Sequence, residues 1–187
     1  LFNICDRIFI GKSMGELGMA SISLVFPLFL AWTGIGMLLG IGGGNVASIK
    51  LGEKNKADAE KLLRNIFLLF TITGVLLSTI GIVFLDPILY MLGASEQTFP
   101  YAKEYTTIIL LSVIFMTYSM GLNNFIRAEG NPNIAMMTMF IGAIINVILD
   151  PIFIFGFNMG IKGAAIATVI ANMASAIWNI WHLTKGK

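Results

Sequence analysis

The sequence predicts an all-α fold, a polytopic bundle of transmembrane helices, and three observations carry that prediction. Of 187 residues, 57% are hydrophobic and only 12% charged, where soluble domains hold about 45–50% and about 25%. Mean hydropathy is +0.85, and too few charges are present to cover a surface facing water. Those charges also cluster, leaving uncharged apolar runs of the roughly 20 residues that a spanning helix needs.

Taken in order, residues 1–10 read as the end of an earlier span. The opening "LFNICDRIFIG" has no basic n-region and no small-residue cleavage site. It also lacks an initiator methionine, so the chain reads as a fragment whose first helix is cut. Complete spans are expected over 21–49, 65–85, 105–126, 134–157 and 163–183, in one domain covering 1–187. The 21–49 span contains "GIGMLLGIGGGNVAS" and Pro27. Such a run favours tight helix contacts, a kink or a local break. "KLGEKNKADAEKLLRN" reads as an amphipathic helix lying along the inner surface.

Lysine and arginine set the orientation. Eight of the twelve fall on one side, five of them within 50–64 and the others at Arg127, Lys185 and Lys187. Four fall on the other, at Arg7, Lys12, Lys103 and Lys162. The first side is therefore expected to be cytoplasmic. A net charge of +2 gives no sign of a nucleic-acid partner, and the single Cys5 excludes an intrachain disulfide or a multi-cysteine zinc site. His182 ends a hydrophobic run and reads as an interfacial side chain.

Two of the ten acidic residues, Asp6 and Asp150, lie within apolar segments away from a loop. An aspartate at the centre of a spanning helix costs about 2.5–3.5 kcal/mol on insertion scales, so such a residue faces a bundle interior or wet cavity and marks an ion or proton pathway. Asn146 and Asp150 are i and i+4, on one helix face. If the last two spans form a hairpin turning near 159–160, Asp150 is level with Thr168 and Asn146 with Asn172. At about 1.5 Å per residue, Asp150 would sit on the order of 10 Å below the outer surface. Asp6 lies at comparable depth, with Asn3 on its face. Pro151 donates no N–H and frees a backbone acceptor beside the pair. A carboxylate, amide oxygens and a hydroxyl suit H⁺ or a hard cation such as Na⁺. For Asn146, Thr168 and Asn172 the alternative is interhelical glue, about 0.6 kcal/mol per contact.

"NICDRIFIG", "GELGMASISLVFPL", "GMLLGIGGGNVASIKLG", "FLDPILYMLGAS", "GLNNFIRAEGNPNIAMM", "NVILDPIFIF" and "GIKGAAIATVIA" together resemble the multidrug and toxic compound extrusion (MATE) family, in the branch resembling DinF. The resemblance covers essentially the whole chain and corresponds to the N-terminal six-helix lobe of a twelve-helix transporter. It implies a multi-pass protein of a prokaryotic inner membrane that exports cationic amphipathic drugs or dyes, driven by H⁺ or Na⁺ and needing no other cofactor. The partner it implies is a second, C-terminal six-helix lobe of the same chain. The family's first-helix acid falls on Asp6, its fifth-helix Asn-x-x-x-Asp on Asn146 and Asp150, and its sixth-helix threonine on Thr168. Pro27 and the glycine run match a second-helix pattern of structural character.

Two rivals remain at this level: a lipid-linked oligosaccharide flippase of the same superfamily, and a non-transporting membrane assembly subunit. An enzyme is not expected, because no Ser/His pair, metal-spaced histidines or second catalytic acid is visible. The same oxygen ligands serve H⁺ and Na⁺, so the sequence leaves the ion open.

Overall fold

The computed structural model describes the backbone of residues 2–185 and the side chains of residues 7–185. The described chain is helical throughout its long segments: α1 (Phe2–Gly52), α2 (Lys56–Val83), α3 (Leu85–Met91), α4 (Phe99–Ala128), α5 (Pro132–Pro151) continued by a π-helical turn (Ile152–Gly156), and α6 (Ile161–Lys185). Five of these segments are long and apolar enough to cross a membrane.

The stretch α1 is two helices joined at Gly15, whose φ of 64° and ψ of −147° interrupt the helical dihedrals. A side chain at Gly15 would meet open space, so the backbone conformation, not crowding, is what favours glycine there. The break falls at Gly15 and not at Pro27, which stays within the helix. A membrane helix accommodates a proline when neighbouring groups satisfy the freed acceptor.

The expected surface helix across 50–64 does not form. α1 ends at Gly52, Lys54 turns through φ 57°, and α2 begins at Lys56. Asn55 caps α2 by accepting from the Asp58 N–H at 3.2 Å, the arrangement that satisfies a free amide at a helix start. The charges from Lys56 to Arg64 therefore sit on the first turns of the spanning helix α2, and only Glu53 and Lys54 lie in the turn itself. At the other end a short helix, α3, appears where a loop is expected. It buries Leu85 and Leu89 against Ala102 and Tyr105. The Lys103–Asp86 ion pair, 2.7 Å, ties α3 to α4.

The core is organised around α4, which packs against every other long helix. In the orientation expected from the lysine and arginine counts, its outer half joins Ile22, Trp32, Ile109, Val113 and Ile161, and its inner half joins Phe70, Leu122, Ile126 and Leu183. Lipid tails are as apolar as leucine, so small residues and close backbones, more than hydrophobic burial, hold such helices together. A Cβ on Gly40 would lie 2.6 Å from the Gly121 Cα. This approach explains Gly36, Gly40 and Gly44 within the glycine run of α1, where α1 and α4 touch backbone to backbone, whereas Gly34 and Gly42 meet open space. The opposite face of α2, with Leu68, Ile72, Val75 and Leu76, is exposed, as a lipid-facing surface is.

Candidate functional site: a carboxylate seam between α5 and α6

Along α5 the buried positions are Ala135, Thr138, Gly142, Asn146 and Asp150, three or four residues apart and so on one face. They meet Thr168, Asn172, Ser175 and Asn179, which α6 buries. The two faces make a polar seam that runs the length of the hairpin.

In its outer half, Asp150 and Asn146 are both 0% exposed and Thr168 3%. The Asn146 amide nitrogen donates to Asp150 Oδ1 at 3.3 Å and to Thr168 Oγ1 at 3.3 Å. Among the described residues, its amide oxygen is buried with no hydrogen-bond partner. A buried acceptor with nothing to accept from costs on the order of 1–3 kcal/mol. A carboxylate, a free amide oxygen and a hydroxyl thus converge on one small volume, and their chemistry suits a proton or a hard monovalent cation. No cluster of three or more His, Cys, Asp or Glu that would hold a transition metal occurs among the described residues.

Asn146 thus joins Asp150 and Thr168 in one cluster, just before α5 ends in the wide π turn Ile152–Gly156. Asn158 and Gly160, at φ 55° and 53°, then reverse the chain. Pro151, which has no N–H, opens the π turn; π-bulges recur at functional sites. Gly163 permits close packing, since a Cβ there would stand 2.8 Å from the Phe153 carbonyl carbon.

Asn172 is displaced inward from the Asp150 cluster. It lines a cleft of about 350 Å³ with Ser175, Thr138, Asn123, Arg127 and three methionines, Met37, Met120 and Met139. Here Thr138, Ser175 and Asn179 are bonded to one another and to the backbone: Thr138 donates to Asn179 Oδ1 at 2.7 Å, Asn179 donates to the Ser119 carbonyl at 2.8 Å, and Ser175 to the Thr138 carbonyl at 3.4 Å. Asn123 donates to the Ala135 carbonyl at 2.7 Å and accepts from Arg127 Nε at 3.1 Å. Sequence reasoning missed this inner network. Its signal was the further polar spacing Thr138, Ser175 and Asn179 on the same two faces.

The side chains of Asn3 and Asp6 lie outside those described. The neighbouring Arg7 stacks over the Phe26 ring, 5.0 Å from its centroid.

Comparison with known proteins places this arrangement. The MatE family model matches residues 1–152. The multidrug export protein MepA of Staphylococcus aureus (strain MRSA252) is 33% identical over 186 residues, covering 99% of this chain and 41% of that protein. MepA of Staphylococcus haemolyticus is 32% identical, also over 99% and 41%. A crystal structure of MATE in the bent conformation superposes with a TM-score of 0.95 at 27% identity, over 100% of this chain and 41% of that one. An inward-facing MATE transporter of the MOP superfamily gives 0.93 at 27%, over 97% and 41%. The chain spans about two-fifths of the length of these relatives, the share of one lobe. With a family model over most of its length and a matching helical lobe, the chain belongs to the MatE family of membrane transporters, which are not enzymes.

Proposed function

We propose that this chain forms one lobe of a cation-coupled antiporter that exports cationic amphipathic drugs or toxic compounds. The coupling H⁺ or Na⁺ binds at Asp150, Asn146 and Thr168, and Asp6 participates from the neighbouring helix. One observation carries the reading: Asp150 is fully buried and bonded to Asn146, whose own amide oxygen has no donor among the described residues. An intramembrane carboxylate is costly, and it is kept where ions pass. The relatives include a multidrug export protein and a multidrug resistance transporter, which supports the substrate class.

The coupling follows from differential affinity. A cation at Asp150 removes a buried negative charge and gives Asn146 Oδ1 a partner, changing which packing of α5 on α6 is stable. A ligand shifts an equilibrium only by its difference in affinity between the two states. The π turn next to Asp150 supplies a segment of non-α geometry where such a shift can be absorbed. Drug contact is assigned to the inner cleft, where Met37, Met120 and Met139 offer flexible apolar surface.

The test is dye efflux from cells lacking other pumps, expressing the full-length protein intact or as Asp150→Asn. Efflux that collapses in a normally expressed variant supports the coupling carboxylate. Unchanged, ion-dependent efflux in the variant overturns it. A full-length protein that moves no dye at all favours the flippase or the assembly subunit.

A further inference from the structure

At the outer end of the bundle, a cavity of about 570 Å³ opens between the end of α5, the start of α6, the start of α4 and α1 near its break. Its lining includes Ser13, Tyr101, Glu104, Ile154, Asn158 and Lys162. Glu104 is the acid among these residues, and Lys162 Nζ stands 2.7 Å from its Oε1. Both side chains of the pair are partly exposed, at 50% for Lys162 and 38% for Glu104. Ile154 is only 2% exposed and belongs to the π turn that follows Asp150. A polar cavity thus reaches down to a buried isoleucine, and the buried carboxylate lies four residues earlier in the chain, on α5.

We propose that this cavity is the outer access vestibule for the small monovalent cation, H⁺ or Na⁺, that binds at Asp150. Glu104 draws the cation in, Lys162 is the resident cation that covers Glu104, and Ile154 is the apolar plug between vestibule and site. The proposal rests on the ion-site reading of Asp150. A half-exposed ion pair is weakly held and open to exchange, which suits a rim that yields to an incoming ion. A carboxylate at the rim of a concave site draws cations toward it once its resident partner is displaced. Lys103, the lysine next to Glu104 on α4, is engaged by Asp86, and Lys162 of α6 is the cation paired with Glu104. The plug sits on a movable support. Ile154 is held by a π turn whose backbone rests on Gly163 of α6, so a change at Asp150 that alters this turn also moves Ile154.

The two partners of the ion pair give the proposal its discriminating test. Lys162→Gln and Glu104→Gln break the same bridge, so a merely structural role predicts effects of the same sign. An entry role predicts opposite signs. Full-length protein is reconstituted in liposomes, and initial ethidium efflux is measured against external Na⁺ at fixed pH, then against external pH without Na⁺. These two arms identify the ion. Lys162→Gln is expected to lower the half-saturating concentration of the active ion about threefold, and Glu104→Gln to raise it about threefold, from the loss of one steering charge. Ethidium KM should not move in either. Ile154→Ala should add an ion leak in the absence of dye. Shifts of the same sign, or no shift in either variant, overturn the vestibule if Asp150→Asn still abolishes coupling in the same liposomes. Coupling that survives in Asp150→Asn removes the parent reading, and the vestibule with it. If Glu104→Gln fails to reach the membrane, the sign of the Lys162→Gln shift decides alone.

Discussion

The outer and inner halves of the α5–α6 seam are built from the same kinds of side chain and end in opposite states. In the inner half, Thr138, Ser175 and Asn179 find partners on α4, α5 and α6. In the outer half, Asn146 spends its donor on Asp150 and Thr168, and among the described residues its oxygen is left buried without one. Hydrogen bonds between membrane helices average about 0.6 kcal/mol, so the inner half is adhesive. A negative charge beside a spare acceptor is poor adhesive and a good ion site. The contrast teaches that polarity inside a membrane bundle is not itself a functional sign; unfilled coordination is.

Substitutions in the two halves should therefore separate cleanly. The largest effect is expected from Asp150→Asn, which removes the charge and keeps the shape. Ion-driven efflux should fall by about tenfold or more, the scale of a lost charge-assisted interaction, with normal amounts of protein in the membrane. Asn146→Ala removes one ligand and should raise the half-saturating ion concentration about tenfold, since hydrogen bonds to charged groups are worth about 1.5–3 kcal/mol. That shift is read from efflux against ion concentration.

Gly163→Val probes the support of the outer half. Its added side chain would press on the Phe153 and Ile154 backbone, and overpacking of this kind costs about 1–3 kcal/mol. Thermal unfolding in detergent should show that loss, and efflux should slow as the π turn shifts. The smallest effect belongs to the inner half. Asn179→Ala gives up two bonds, a loss of about 1 kcal/mol in stability, and should leave the ion dependence of efflux where it was. An ion shift in Asn179→Ala as large as that in Asn146→Ala would erase the distinction between the halves.

Much of this was legible in the sequence, for physical reasons. Membrane helices announce themselves by length and apolarity, and Asp150 stood out because a carboxylate in such a run has a large cost. Helical spacing was enough to put Asn146 on its face. Depth matching brought Thr168 to the Asp150 face, where Asn146 bonds both, but it did not foresee the π turn after Pro151 or that Asn172 lines the inner cleft. The turn at 53–55 was hidden by a charge pattern that fits a surface helix equally well, and only the positive φ of Lys54 and the Asn55 cap reveal it. The ion pair of Lys162 with Glu104 joins residues on different helices, which periodicity along one helix does not report.

The most direct test of the central claim is ion uptake coupled to dye efflux in liposomes, measured side by side for Asp150→Asn and Asn179→Ala in the full-length protein. The account predicts that Asp150→Asn loses coupled uptake and Asn179→Ala retains it. Coupled uptake that persists in Asp150→Asn, or that disappears equally in both, would contradict it.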